Sequence, residues 1–359
     1  MTAGMPSRRL SISAFGIHTG GGLVLLEALL AASGANLKSV LLDQRLQGRD
    51  MPVAAGAAVR FVRRSFVARA ASLTRLAAGC GPGDVLLCFN SLPPLVSTAA
   101  RVVTFVQAPH FVGMHEGVRY AMLTSLRLAL ETTWFRTGVR HSDEIWVQTH
   151  TMARAALARF PCASVAVVPL VDDRLMHLLA STPAPDLQAR APAPPSEAPA
   201  RFFYPADGVG HKNHATLLQA WRVLADEGLR PQLALTLQST DLSTVWRQSG
   251  VDASDMPHVI NLGRLQREEV LRQLSLSSAL LFASSAETFG LPMLEARALG
   301  VPILAAERDF VRDVCTPVAL FDPMSARSIA SAVKRFLGSA CHSGVDFVSG
   351  AGFVEKLLA

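Results

Sequence analysis

Long apolar runs are missing from this 359-residue chain. The longest, Gly22 to Ser33, falls short of the roughly 18–20 residues a membrane-spanning helix needs, and it carries Glu27. A secretory leader is not expected either. Arg8 and Arg9 precede only the short Leu10–Phe15 stretch, which enters a glycine loop without a cleavage-like site. Cysteine is sparse: Cys80, Cys88, Cys162, Cys315 and Cys341 are scattered, odd in number and never spaced as CxxC. That pattern excludes a zinc knuckle and argues against a disulfide scaffold. No Asp-x-Asp occurs, no GK[ST] of a Walker loop, and no GxGxxG. Charge is low at 17% while half the residues are apolar, so the chain can bury a sizeable core and is not disordered. The sequence predicts a soluble, cytoplasmic protein of about two domains.

The positive charge that is present sits on one side. Residues 1–150 hold 15 Lys/Arg against 8 Asp/Glu, whereas the remainder holds 19 against 20. Arg60, Arg63, Arg64, Arg69 and Arg75 alternate with Phe61, Val62, Phe66 and Val67, which predicts one basic amphipathic helix over 60–75. A second basic set (Arg119, Arg127, Arg136, Arg140) lies on another helical stretch with Leu123, Leu126, Leu130, Trp134 and Phe135. Two readings stand side by side: solvated helix faces, or a surface that docks on anionic lipid at the inner leaflet. Nucleic acid is not an expected partner, because no binding motif or stacking platform accompanies the arginines.

Short β-like runs alternate with helical segments throughout, which predicts doubly wound parallel sheets. The first half offers strands at Leu10–Phe15, Ser39–Leu42, Asp84–Phe89, Arg101–Val106, Glu144–Gln148 and Val165–Pro169. Its helices are Leu23–Ala32, Val118–Gly138 and Thr151–Phe160. Residues 181–200 contain six prolines and little periodicity, so they read as a linker between an N-terminal domain (1–180) and a C-terminal one (201–359). Two Rossmann-like α/β domains would then face a central cleft, where open sheets bind ligands.

Two segments suit chemistry in that cleft. Gly16-Ile17-His18-Thr19-Gly20-Gly21-Gly22 lies between the first strand and first helix, where glycines admit a ligand close to the backbone and the helix start favours an anion. The more informative segment runs Ser284-Ser285-Ala286-Glu287-Thr288-Phe289-Gly290-Leu291-Pro292-Met293-Leu294-Glu295. A buried strand leads into it, Pro292 suits a first helical turn, and amides around Phe289–Leu291 would face the cleft. Glu287 and Glu295 then flank that anion site.

This segment resembles the Glu-x7-Glu signature of retaining glycosyltransferase family 4, the group 1 family with the GT-B fold. Similarity extends over roughly residues 10–340, through Asp143–Thr149, Gly263-Arg264-Leu265, Ala298–Pro302 and Leu320–Pro323. The resemblance implies that Glu295 holds the ribose of a nucleotide sugar, GDP- or UDP-linked, and that Glu287 faces the transferred sugar. Phe289, Gly290 and Leu291 would supply backbone contacts, and Gly20, Gly21 and Gly22 would approach the diphosphate from the other domain. The family's basic clamp pairs an arginine with a lysine. Here His211-Lys212-Asn213-His214 supplies Lys212 without the arginine, a variant similar to bacterial polysaccharide mannosyltransferases, and Arg264 is a candidate substitute. His110, after the strand ending at Val106, matches the family's histidine near the acceptor; a buried structural histidine is the other reading. The implied activity is transfer of a hexose, with mannose as the candidate, with retention and without metal or cofactor, onto a glycan or lipid-linked glycan. Lipopolysaccharide, O-antigen or exopolysaccharide synthesis would be its setting. A non-catalytic nucleotide-sugar-binding subunit of the same fold is the alternative.

Overall fold

The computed structural model describes residues 9–114, 122–181 and 199–338. In the N-terminal half, seven strands form one parallel sheet: β1 (Leu10–Ser13), β2 (Leu37–Asp43), β3 (Ala58–Val62), β4 (Val85–Cys88), β5 (Arg101–Phe105), β6 (Glu144–Val147) and β7 (Val165–Val167). Their order is β3-β2-β1-β4-β5-β6-β7. Helices α1 (Gly20–Ser33), α2 (Phe66–Ala78), α3 (Met122–Gly138) and α4 (His150–Arg159) accompany them. Buried side chains form separate clusters, one around Leu26, Leu30 and Phe105, another around Leu86, Phe135 and Ile145. A parallel sheet covered on both faces requires this arrangement.

Helix α5 (Asp173–Ser181) leads into the second unit. Its strands are β8 (Arg201–Tyr204), β9 (Gln232–Leu235), β10 (Val259–Asn261), β11 (Ala279–Phe282), β12 (Ile303–Ala306) and β13 (Ala319–Phe321). They pair in parallel in the order β10-β9-β8-β11-β12-β13. The helices are α6 (His214–Asp226), α7 (Ser239–Ser249), α8 (Arg267–Ser275), α9 (Leu291–Ala298), α10 (Asp309–Val314) and α11 (Ala326–Phe336). Every residue of β11 and β12 is buried, as expected of central parallel strands. In each sheet the strand order reverses beside the first strand, between β1 and β4 and between β8 and β11. The two switch points put their loops into one cleft.

The expected pair of Rossmann-like domains is therefore present, with differences in detail. The helix expected over 60–75 is instead a strand, a bend and a helix: β3 ends at Val62 and α2 starts at Phe66, capped by the Ser65 hydroxyl accepting the Ala68 amide at 3.0 Å. Arg60, on β3, and Arg63 and Arg64, in the bend, are exposed, whereas Arg69 is largely buried. A serine N-cap ahead of an apolar pair starts the helix there, and β3 satisfies its backbone on β2. Leu175 of α5 belongs to the C-terminal core with Phe202, Phe203 and Trp221. The expected 1–180 unit thus ends in a helix that packs with the other domain. Most of the 181–200 segment lies outside the described residues.

The domains touch directly. The Thr151 amide at the start of α4 donates to Asp313 of α10 at 2.7 Å, and Thr288 donates to the Gln107 carbonyl at 3.4 Å. Leu291 packs against both cores, and a Cβ placed on Gly21 would lie 2.9 Å from its Cδ1.

Candidate active site

Between the domains lies a cleft of about 1750 Å³, lined from one side by Gly16–Gly22 and from the other by Lys212, Arg264 and Glu287–Pro292. Its C-terminal wall is built by strand-end loops that stitch to each other. After β11, Ser284 is buried and its hydroxyl donates to the Ala286 carbonyl at 3.2 Å. The Ser285 amide reaches the His211 carbonyl at 2.8 Å, so the 284–290 loop is tied to the single 3-10 turn at Gly210–Lys212. Tyr204, buried at the end of β8, donates to the Lys212 carbonyl at 2.8 Å. Asn213 takes left-handed backbone (φ 63) and bonds the Pro323 carbonyl at 2.6 Å. The two loops and the 320–323 segment thus form one rigid unit.

Within that unit Lys212 Nζ donates to Glu287 Oε1. Burial pushes the Glu287 carboxyl up, but the charge and hydrogen bond of Lys212 outweigh it and hold it below the ordinary range. Glu287 is therefore an ionised acceptor for hydroxyl groups. The ammonium spends one of its three donors on it and keeps others for an anion. Next to it, burial and then Lys212 lower the His211 pKa to about 4, which leaves that imidazole neutral.

Gly290 caps α9 with φ 78, and a Cβ there would meet Met293 Cε at 2.5 Å and Phe282 Cζ at 3.3 Å. Only glycine fits this turn, which opens the first amides of α9 toward the cleft. Phe289 packs its ring into the C-terminal core, so only its backbone serves the cleft. Glu295 sits inside α9, buried, with Arg267 Nη2 3.3 Å from its Oε1. Burial raises its pKa and Arg267 partly offsets the rise. The same Arg267 nitrogen holds Asp172, at the domain crossing, at 2.6 Å. Neither Arg267 nor Asp172 stood out in the sequence, because their partners lie far away along the chain.

On the N-terminal wall, Gly20, Gly21 and Gly22 form the first turn of α1 rather than the loop before it. Asp43 is fully buried behind them. It accepts the Gly16 amide at 2.8 Å and two Arg45 nitrogens at 2.6 and 2.9 Å, which hold its pKa at about 2 despite burial. Arg45 also donates to His18 at 2.7 Å. His110 is buried in a 3-10 turn after β5, with Nε2 3.8 Å from Glu131 on α3. Arg264 is exposed on the opposite wall. The cleft therefore gathers His110, Lys212, Arg264, Glu287, Glu295 and both glycine turns, whereas Arg60 and Arg63 lie outside it. Among the described residues, no group of three His, Cys, Asp or Glu side chains is placed to hold a metal ion.

Residues 188–342 match the family model for glycosyl transferases group 1. That match falls on the C-terminal half of the chain and takes in the 284–295 segment. Solved structures of similar fold span nearly the whole chain. Anabaena HepE, in complex with UDP and glucose, has a TM-score of 0.62 at 13% identity, covering 91% of this chain and 89% of its own. Sucrose-phosphate synthase from Thermosynechococcus elongatus gives 0.62 at 17%, with 92% and 90% covered. The lipopolysaccharide outer core galactosyltransferase WaaB gives 0.57 at 16%, again with 92% and 90% covered. The fold is thus that of GT-B glycosyltransferases, whose two domains face each other as they do here. Compared by sequence with curated proteins, the chain has no match.

Proposed function

We propose that the protein transfers a hexose from a UDP- or GDP-linked sugar to a glycan hydroxyl with retention, in bacterial surface polysaccharide synthesis. The observation that carries this reading is the pair Glu287 and Glu295 set on either side of the α9 start, with Lys212 beside the first. Glu295 receives the ribose hydroxyls and Glu287 the transferred sugar. The amides of Gly290 and Leu291, the first turn of α1, and Lys212 and Arg264 take the diphosphate. The likeness to HepE with UDP and glucose, and to a lipopolysaccharide galactosyltransferase, supports the donor and acceptor classes.

In the reaction the bond from the anomeric carbon to the leaving phosphate oxygen breaks. The acceptor oxygen bonds to that carbon on the same face, and its proton passes to the leaving phosphate. Negative charge grows on the diphosphate as the sugar becomes oxocarbenium-like. Fixed cations and helix amides neutralise it without a metal. His110, held beside Glu131, lies at the acceptor side. Closure of the two domains excludes water from the activated sugar.

The test is calorimetry of wild type and Glu295→Ala with UDP and GDP, repeated in EDTA. One nucleotide should bind, EDTA should change nothing, and Glu295→Ala should weaken binding by roughly 1.5–3 kcal/mol. Unchanged affinity in the variant sinks the ribose assignment, and a magnesium or manganese requirement sinks metal-free transfer.

A peripheral membrane role rests on a separate observation. Phe66 and Val67 on α2, and Met122, Leu123 and Leu126 on α3, are exposed on the N-terminal domain, with exposed Arg60 on β3 and Arg63 in the bend before α2. Apolar side chains enter the interface and arginines face anionic headgroups, each contributing about 1 kcal/mol. Wild type should float with vesicles rich in phosphatidylglycerol at low salt, and Val67→Ser/Leu123→Ser should not. Wild type remaining off such vesicles excludes the role.

A further inference from the structure

The N-terminal wall of the cleft carries cations beyond those the donor uses. Arg45, Arg49, Arg64, Arg69 and Arg127 line it, against Glu27 and Glu131. Two of the five are neutralised locally: Arg49 pairs with Glu27 at 2.8 Å, and Arg45 holds the buried Asp43. Three arginines then remain against the single carboxylate of Glu131.

Arg69 is the centre of this set. Its side chain rises from α2 with its guanidinium over the Phe15 ring, 5.7 Å from the centroid. The nearest carboxylate oxygens stand at 3.6 Å (Glu131) and 4.0 Å (Asp43), both outside hydrogen-bond range. Asp43 has already spent its lone pairs on Gly16 and Arg45. The Nε of Arg69 is buried and has no hydrogen-bond partner. A guanidinium is a rigid fork suited to bidentate binding of phosphate, and this one is held in place without being saturated. Arg64 and Arg127 project from neighbouring elements into the same wall and are exposed. His110 lies beside Glu131, so the cationic group borders the point where the acceptor hydroxyl must stand.

We infer that Arg69, with Arg64 and Arg127, seats a phosphate group carried by the acceptor. The inference rests on the donor and acceptor sides proposed above and adds the acceptor's chemical class. Glu131 opposes it as the one competing carboxylate. Occupation would exchange the loose Arg69–Glu131 pair for shorter charge-assisted hydrogen bonds.

Calorimetry on the full chain, with and without saturating nucleotide, tests this with glucose 6-phosphate, geranyl phosphate and their uncharged counterparts, glucose and geraniol. At least one phosphate should bind about tenfold more tightly than its counterpart, and less tightly as salt rises. Arg64→Gln and Arg127→Gln, both at exposed positions, should each weaken it about three- to tenfold and leave nucleotide affinity unchanged. Arg69→Lys tests the fork without deleting the charge and should also weaken it. A preference for glucose 6-phosphate marks a soluble sugar phosphate as the acceptor, and one for geranyl phosphate marks a lipid-linked acceptor. Equal binding of charged and uncharged forms, or phosphate binding indifferent to all three arginines, overturns the proposal. Nucleotide failing to bind while phosphate still does strikes the donor assignment alone.

Discussion

Lys212 and Glu287 bind each other with both side chains largely shielded from solvent. Removing one member of such a pair strands the other charge, at a cost of about 3–5 kcal/mol, whereas removing both is nearly neutral. Lys212→Met should therefore lower unfolding free energy by about 3 kcal/mol or more in urea melts. The double variant Lys212→Met/Glu287→Gln should recover most of that loss and still fail to transfer sugar. Full activity in the double variant would mean that the pair only supports the loop. At this scale the sequence was informative where chemistry is local. The 284–295 segment carries its glutamates, glycine and proline at fixed offsets, and each lies where that spacing implies. Arg267, Asp172 and Glu131 were not legible, because each earns its place through a partner on another element.

Helix α6 and the turn before it hold two neutral histidines. Burial first, then Lys212, depress His211 to about 4 and His214 to about 3, against an ordinary value of 6.5. The unfolded chain takes up protons at these sites below pH 6.5, and the folded one resists until far lower pH. Stability should thus fall as pH drops from 6.5 toward 4, with His214 alone accounting for on the order of 3 kcal/mol. Urea melts at pH 7, 6, 5 and 4 measure the slope, and His214→Gln should flatten it; an unchanged slope would refute the assignment. The buried apolar run of β11 was readable from sequence as the strand leading into the 284–295 segment. Strand β3 was not. It lies at the sheet edge, and only Val62 of its five residues is buried, so no alternation marks it. Helix α7 begins Ser-Thr-Asp, and its Ser and Thr residues favour turns and caps over helix interiors, so its sequence carries little helical signal.

Across the whole molecule, the domains meet at Gly21 and Leu291. A single methyl at position 21 meets only the tip of a leucine that can turn away, so Gly21→Ala should keep most activity. Gly21→Val crowds the contact and should hold the domains apart. A shift of about 1 Å at the reacting atoms costs roughly a hundredfold in rate. Small-angle scattering should show a larger radius of gyration for Gly21→Val, with the unfolding midpoint little changed. Normal turnover in that variant would show that closure at this contact is dispensable.

The three glycines that open α1 have a thermodynamic side as well. Gly21 and Gly22 are each about 1 kcal/mol worse than alanine in a helix, Gly20 takes left-handed backbone at φ 65, and Thr19 makes no side-chain cap bond to offset this. The first turn of α1 is therefore its easiest part to open, and Gly20 and Gly21 are exposed to solvent. Their amides should exchange with deuterium much faster than those of Leu26 or Leu30 in the same helix. A ligand seated on that turn must slow them, so occupancy of the cleft is written into the exchange rates of three backbone hydrogens, with no label attached.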